Sequence, residues 1–430
     1  MSGPESKASA PASSAGVGLR QPWYLRPGYP WVRLGVSLLL GTVGSSGMYV
    51  VAVVLPEIQL EFDTARMGAS LPYMLTTLGF GAGGILMGRL ADRVGVTIPV
   101  LLGALLIAAG FLSAAQAGSI AVFVLSSLLI GLGSSASFAP LVADTSLWFT
   151  HRRGLAVAIC ASGNYLSGTV WPPVVQAMIE HIGWRSTYAL MGAICLAVPL
   201  ASVWILRPRP PVLREMADMA AMLAAGGTGR AAVRPLGMSP GALQTLLCIA
   251  GVSCCVAMAM PQVHIVALCT DLGYGPIRGA QMLSIMLACG IVSRLASGWI
   301  CDRIGGLRTM ALGASLQAVA LVMFLPNQSL DALYLVSALF GLVQGGIVSS
   351  YAIIVREHFP AEEAGTRVSL TITATLVGMA LGGWASGAIF DVTGSYDAAF
   401  MHGIAWNLLT IAIAFFLIHR AGGRLAPAQA

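Results

Sequence analysis

Charged side chains are scarce in this sequence: they account for 9% of its 430 residues, whereas 57% are hydrophobic. Soluble globular domains carry about 25% charged residues, so the composition excludes an ordinary soluble domain. Acidic side chains are scarcest where the chain is most apolar, because none of the 17 Asp and Glu residues falls at the middle of a long hydrophobic run. The chain is therefore expected to be embedded in a lipid bilayer.

Several chemical signatures are absent as well. The sequence contains no P-loop and no Ser/His/Asp, metal-binding or nucleotide-binding pattern, so neither an enzyme, nor a cofactor, nor coupling to ATP hydrolysis is expected. The eight cysteines lack metal-ligand spacing and are interpreted as small packing residues. The basic residues lie in short loops rather than on one soluble face, which argues against nucleic acid as a partner.

Long apolar runs dominate what is present. A helix that crosses a bilayer needs about 20 apolar residues, and twelve segments meet this requirement: 31–55, 67–90, 97–116, 120–145, 154–178, 185–206, 240–268, 277–301, 307–325, 330–355, 366–390 and 398–418. They predict an all-α membrane protein with 12 transmembrane helices in two pseudo-symmetric six-helix bundles. The bundles cover 29–207 and 240–419 and are joined by a cytoplasmic linker at 208–239. The tails, 1–28 and 420–430, are predicted to be cytoplasmic, and the first to be disordered rather than a signal peptide.

The distribution of Lys and Arg predicts the orientation. Nineteen of the 23 basic residues fall on one side of the predicted spans, Arg66, Arg185 and Arg278 fall on the other, and Arg294 lies within a span. By the positive-inside rule the side with nineteen is cytoplasmic, which places both ends of the chain there. We expect a multi-pass protein of the plasma membrane, in particular a bacterial inner membrane, whose functional unit is a monomer.

Arg294 is the charge that this pattern leaves unexplained. An arginine in the hydrocarbon costs between about 3 and about 17 kcal/mol, so such residues face a polar cavity and meet a ligand or partner. Helical side chains lean toward the helix N-terminus, which brings this guanidinium close to the midplane. A buried ion pair is the alternative, but no acidic residue lies at a comparable depth. An anionic substrate is favoured, since a planar guanidinium matches a carboxylate with two parallel hydrogen bonds.

Four further polar side chains inside spans are candidates for the same cavity: Tyr49, Asn164, His264 and Tyr351. Each has a plainer interpretation as a packing residue or a hydrogen-bonding partner of a neighbouring helix. His264 is the one histidine well inside a predicted span, and imidazole gains and loses a proton near physiological pH. It is therefore a candidate both for orienting a carboxylate beside Arg294 and for carrying a proton. His264 and Arg294 are together the residues predicted to couple transport to protons.

An internal repeat relates the two halves. The segment GRLADRVG at 88–95 recurs as GWICDRIG at 298–305, and LIGLG at 129–133 recurs as LFGLV at 339–343, each displaced by 210 residues. Two duplicated six-span halves are typical of secondary transporters, whose substrate site lies near the midplane between the halves.

These loops resemble the cytoplasmic loop signature of the major facilitator superfamily. The resemblance implies rocker-switch alternating access, and it implies a conformational latch that joins the inner ends of the halves in the outward-facing state. The latch residues are Gly88, Asp92, Arg93, Asp302 and Arg303. Asp144, about one turn from the inner end of span four, is expected to reach Arg152, Arg153 or this latch.

A narrower resemblance points to the monocarboxylate transporters. The segment WFTHRRGLAVAICASG at 148–163 is similar to their entry into span five, and His264 lies in a similar setting in their prokaryotic members. Arg294 matches the substrate-binding arginine of these transporters and of the related oxalate:formate antiporter. Two positions depart from the animal members, because Tyr49 stands where they have a lysine and Gly290 where they have an aspartate. Span eleven also lacks the lysine of the oxalate exchanger, which argues against a dicarboxylate substrate.

The sequence therefore predicts a secondary active transporter of small monocarboxylates, such as lactate or pyruvate, coupled to protons. Its partners are the carboxylate, protons and the lipid bilayer. An organic-anion exchanger without proton coupling is the alternative, since it would use the same arginine. A multidrug exporter is disfavoured, because cationic substrates call for an acidic residue inside the membrane.

Overall fold

The computed structural model describes residues 28–149, 153–208, 235–325 and 329–422. Residues 1–27 of the predicted disordered tail, 209–234 of the linker and 423–430 at the end of the chain lie outside these ranges. Within them the chain forms fourteen α-helices: α1 (Tyr29–Gly44), α2 (Ser46–Glu61), α3 (Arg66–Val94), α4 (Thr97–Ala115), α5 (Ile120–Ser134), α6 (Ala139–Trp148), α7 (Arg153–Leu206), α8 (Pro240–Asp271), α9 (Pro276–Ile304), α10 (Gly306–Phe324), α11 (Leu330–Gln344), α12 (Ile347–His358), α13 (Ala361–Thr393) and α14 (Tyr396–Gly422).

These helices make twelve membrane spans. The 54 residues of α7 would form a helix of about 80 Å, far longer than the hydrocarbon core of about 30 Å. Gly183 divides α7 into two spans, because its φ of 76° and ψ of 158° are not helical. Conversely, the pairs α1–α2, α5–α6 and α11–α12 each form a single span of 29 to 33 residues. The predicted fold class is confirmed.

The 210-residue repeat is visible in the helix bounds. Helices α3 and α9 both contain 29 residues and begin 210 residues apart, as do α5 and α11, which both contain 15. Gly95 and Gly305 follow α3 and α9, and each has a positive φ, 86° and 81°, a conformation that glycine adopts without steric cost. The first half (α1–α7) and the second half (α8–α14) thus share one architecture.

The halves are tied together at one end of the molecule. We call this the outer end, in accordance with the orientation expected from the basic residues. Arg66 of α3 pairs with Asp271 of α8 (Nη2 to Oδ2, 2.9 Å) and donates to the hydroxyl of Tyr396 (2.7 Å). Asp391 of α13 accepts hydrogen bonds from the backbone N–H groups of Arg66 and Met67 at the start of α3, at 2.8 and 2.6 Å, where a carboxylate is favoured by the helix dipole. We call Arg66, Asp271, Asp391 and Tyr396 the outer clamp.

The inner ends of the halves are connected differently. Asp92, Arg93, Asp302 and Arg303 are all exposed. The Cζ of Arg303 lies 3.7 Å from the centre of the Trp299 ring in its own helix. In the part of the chain that the structure describes, no hydrogen bond or ion pair joins any of these four side chains to the other half. The structure thus combines a closed outer clamp with inner latch residues that do not engage each other.

Candidate substrate-binding site

Arg294 lies on α9 where that helix meets α7 of the other half. Its Cζ is 4.5 Å from the centre of the Tyr165 ring, and its Nη1 donates to the carbonyl oxygen of Ala161 at 3.2 Å. Its Nε is buried and has no hydrogen-bond partner among the described residues, and no described carboxylate forms an ion pair with it. The guanidinium is therefore held by an aromatic face and one carbonyl, and it keeps donors and a full positive charge for an anion.

Tyr49 and Asn164 extend the same cluster. The hydroxyl of Tyr49, on α2, donates to Oδ1 of Asn164 at 2.7 Å, and Asn164 directly precedes Tyr165 on α7. The Tyr49 ring also packs against Gly168, one turn further along α7, where an added Cβ would lie 2.8 Å from its Cε1. The structure thus brings three of the predicted site residues, Arg294, Tyr49 and Asn164, to one region between the halves.

His264 does not belong to this cluster. It lies about two helical turns before the outer end of α8, whereas Arg294 lies about five turns after the start of α9 on the far side of a short loop. At 1.5 Å per residue, about 16 Å of helix separates their levels in the membrane. His264 is buried, and its Nε2 contacts the carbonyl oxygen of Gly383 on α13 at 2.8 Å. Gly387, one turn beyond Gly383, packs on the Arg66 carbonyl, so His264 lies beneath the outer clamp.

Tyr351 lies within the core of the second half. Its side chain is fully buried, and its hydroxyl has no hydrogen-bond partner among the described residues. No described hydrogen bond or ring contact connects it with Arg294. Tyr351 belongs to the same buried core cluster as Tyr165, so it lies in the core that packs behind the polar cluster formed by α2, α7 and α9.

Asp144 has a different partner from the one expected. Both of its carboxylate oxygens accept hydrogen bonds from Arg33 of α1, at 2.7 Å from Nε and 2.8 Å from Nη2. Both side chains are almost completely buried. The side chains of Arg152 and Arg153 lie outside the part of the chain that the structure describes. Arg33 is 111 residues away from Asp144 in sequence and is brought there by the packing of α1 against α6.

Two other features of the structure are only weakly indicated by the sequence. Tyr165 directly follows the predicted site residue Asn164, but its contact with Arg294 joins the two halves and cannot be predicted from spacing along the chain. The outer clamp was missed because Arg66, Asp271 and Asp391 each stand near the end of a helix, where a charged residue needs no partner. The signal that existed was their shared level, since all three lie within one turn of an outer helix end.

A twelve-span fold with two repeated halves, and an uncompensated arginine between them, defines a membrane transporter. The chain belongs to the Major Facilitator Superfamily, whose family model matches residues 37–326 and, again, 245–429. It is therefore a multi-pass membrane transporter and not an enzyme, as expected from the sequence.

Relatives and solved structures agree with this assignment. The chain is 28% identical to monocarboxylate transporter 13 from Bos taurus over 388 residues, which cover 89% of this chain and 87% of that protein. Its fold is similar to that of a bacterial homologue of the human lysosomal transporter Spinster in an inward-facing and occupied conformation, with a TM-score of 0.72, 13% identity, and coverage of 94% and 99%. It is also similar to the D-xylose-proton symporter, with a TM-score of 0.66, 15% identity, and coverage of 90% and 97%.

Proposed function

We propose that this transporter moves small monocarboxylates, such as lactate or pyruvate, by alternating access, and that Arg294 binds the carboxylate. One observation carries the proposal: a guanidinium between the two halves has a buried, unpartnered Nε and no carboxylate partner among the described residues. A charge in this position requires a counter-ion, and a carboxylate would supply two charge-assisted hydrogen bonds. The similarity to monocarboxylate transporter 13 supports this substrate class.

The neighbouring residues shape the site. Tyr49 and Asn164 form its wall on the first half, and Tyr351 contributes from the core of the second half. Asp92, Arg93, Asp302 and Arg303, with Gly88, engage as the inner latch when the outer clamp opens. The protein lies in the plasma membrane, which in a bacterium is the inner membrane. The latch and both ends of the chain face the cytoplasm. One monomer contains the complete pathway.

Proton coupling is the second part of the proposal, and His264 is its carrier. Because the partner of Nε2 is a carbonyl oxygen, Nε2 must be the protonated nitrogen, which leaves Nδ1 with a lone pair. Nδ1 is buried and has no hydrogen-bond partner among the described residues. This nitrogen can accept a proton beneath the outer clamp, so that protonation and opening of the outer end are coupled.

Exchange of one organic anion for another is the alternative. It is favoured by the absence of a described acidic residue that could neutralise Arg294 when no substrate is bound. An empty carrier would then return slowly, because its halves would have to move with an uncompensated charge between them. A second anion at the same site would remove this barrier.

Uptake of labelled lactate into proteoliposomes tests the proposal, with a panel of competing carboxylates and an imposed inward proton gradient. Arg294→Ala should lower the initial rate by roughly 30-fold or more, as expected for removing one partner of a buried charge pair. Arg278→Ala is the matched control: Arg278 is exposed on the same helix and should leave the rate within about twofold of wild type.

The outcomes separate the two mechanisms. Accumulation that requires both the gradient and Arg294 supports proton-coupled transport. A rate that requires Arg294 but responds only to carboxylate trapped inside the vesicles supports exchange. Uptake that is equal in Arg294→Ala and wild type would overturn the proposed site.

A further inference from the structure

Gly290 lies one turn before Arg294 on α9, and the space around it is tightly filled. A Cβ added at Gly290 would lie 2.5 Å from Cε1 and 2.7 Å from Cδ1 of Tyr165, closer than real side chains pack. Tyr165 belongs to the other half and is 8% exposed. The space that a side chain at position 290 would occupy is thus filled by the Tyr165 ring.

The same ring covers one face of the Arg294 guanidinium, with 4.5 Å between Cζ and the ring centre. We propose that Tyr165 is the positioning residue of the substrate arginine, and that position 290 is glycine so that the ring can reach it. This inference rests on the proposed function, since it gives Tyr165 a role only if Arg294 binds substrate. Tyr165 acts through Arg294 and not by holding the carboxylate.

The contact has a specific electrostatic property. The negative face of an aromatic ring attracts a cation but does not neutralise it, whereas a carboxylate at position 290 would pair with Arg294 and compete with the substrate. The ring therefore fixes the guanidinium while its charge stays available. Because the Ala161 carbonyl binds Nη1 and the ring covers one face, a substrate carboxylate is directed to the edge that carries the unpartnered Nε.

This geometry also selects the ligand. An approach along the guanidinium edge admits a single planar carboxylate, which can accept from two N–H groups at once. No second described cation shares the site, since Arg33 and Arg66 are engaged by Asp144 and Asp271. The expected ligand class is a monocarboxylate with a small uncharged remainder.

The test measures apparent KM and Vmax for labelled lactate in proteoliposomes. Tyr165→Val removes the ring and should raise KM roughly three- to thirtyfold, the range of cation–π contacts that are partly shielded from water, with Vmax within about twofold. Tyr165→Phe keeps the ring face and should restore a KM within about twofold of wild type. A purely structural role would lower the yield and Vmax instead of moving KM alone.

Gly290→Ala tests the same contact from the other side. The added methyl group must displace the ring, so KM should rise in the direction seen for Tyr165→Val. In the Tyr165→Val background the same substitution should add little, because the atoms that it would meet are gone. Gly35→Ala is the matched control, since Gly35 lies in a membrane helix with no atom within 4 Å of an added Cβ, and its KM should equal that of wild type.

Two results would overturn the inference: an unchanged KM in both Tyr165→Val and Gly290→Ala, or a Tyr165→Phe variant as impaired as Tyr165→Val. If Arg294→Ala still abolishes uptake in that case, the proposed function stands and only the role of Tyr165 is lost. If Arg294→Ala transports normally, the site itself is wrong. Size-exclusion profiles of each variant show that folded protein is compared, and Gly290→Ala decides the question if Tyr165→Val does not fold.

Discussion

Arg33 and Arg294 are both at least partly buried, but they differ in their hydrogen-bond and ion-pair partners. Arg33 is 2% exposed and satisfies all its nitrogens within the first half: Nε and Nη2 bind both oxygens of Asp144, and Nη1 donates to the Tyr29 hydroxyl and the Ile205 carbonyl. Arg294 lies between the halves and has one carbonyl, one aromatic face and an unpartnered Nε. Burial of an arginine therefore does not by itself indicate a ligand; the absence of a built-in counter-ion does.

Arg66 is intermediate between these two. It is 5% exposed and has a carboxylate partner, Asp271, but that partner belongs to the other half. A pair within one half can persist through the transport cycle, whereas a pair between halves must break when the outer end opens. The three arginines thus have three different roles. Arg33 stabilises one half, Arg66 closes the outer end reversibly, and Arg294 is free to bind an exchangeable ligand.

The largest expected effect is on stability, and it sets Arg33 against Arg294. Arg33→Met leaves Asp144 buried without a partner and should destabilise the protein by about 3–5 kcal/mol. Arg294→Met is the same chemical change but leaves no carboxylate behind, so the thermal midpoint should be unchanged or raised. The measurement is thermal unfolding of the purified variants in detergent, followed by tryptophan fluorescence.

A second substitution controls for side-chain size. Arg33→Met combined with Asp144→Leu removes both charges and should recover most of the lost stability, because replacing a buried pair with apolar residues is often neutral. Equal losses in Arg33→Met and Arg294→Met would contradict the comparison, since they would mean that Arg294 also has a permanent partner.

A smaller effect is expected at the outer clamp. Arg66→Gln removes the bond to Asp271, and because Asp271 is partly exposed we expect a loss of about 1 kcal/mol, which would favour opening roughly fivefold. Ser70→Cys provides the reporter, since Ser70 is fully buried and Gly387 of α13 packs on it. A membrane-impermeant maleimide should label Cys introduced there faster when Arg66→Gln is also present.

Arg278→Gln is the control for the clamp. It removes the same charge from the same end of the molecule, but Arg278 is exposed and its described hydrogen bond stays within α9. When Arg278→Gln is combined with Ser70→Cys, the labelling rate should match that of Ser70→Cys alone. Labelling of the protein that keeps Ser70 is subtracted as background. If both arginine variants accelerate labelling equally, the effect is one of surface charge and the clamp does not hold the halves.

The sequence predicted the spans well because each is a long apolar run, and the bilayer imposes that pattern on any helix that crosses it. It failed at their ends: the first predicted span stops at 55, whereas α2 continues to Glu61. A helix end that protrudes into the polar interface loses the hydropathy signal but keeps its backbone hydrogen bonds.

Which of the candidate residues lie close together could be predicted only in part. The lack of an acidic residue at the depth of Arg294 could be predicted from spacing along the helices, and no described carboxylate forms an ion pair with Arg294. The partners in ion pairs could not be predicted from the sequence, because Arg33 and Asp144 meet only when α1 packs against α6. His264 was expected beside Arg294, although counting turns from the shared loop between α8 and α9 would have placed it at a different level.

The smallest expected effect separates neutral from charged contributions within the cluster around Arg294. Tyr49→Phe removes the donor to Asn164, a neutral hydrogen bond worth about 1 kcal/mol, so the KM for lactate should rise roughly two- to fivefold in proteoliposomes. Tyr334→Phe is the matched control, because the Tyr334 hydroxyl donates to Gln281 within the second half, at 2.5 Å, and its KM should not change. If Tyr49→Phe impaired uptake as much as Arg294→Ala, the hydroxyl and not the guanidinium would anchor the substrate. Arg294 would then have a structural role, as Arg33 does, although the two arginines have different partners.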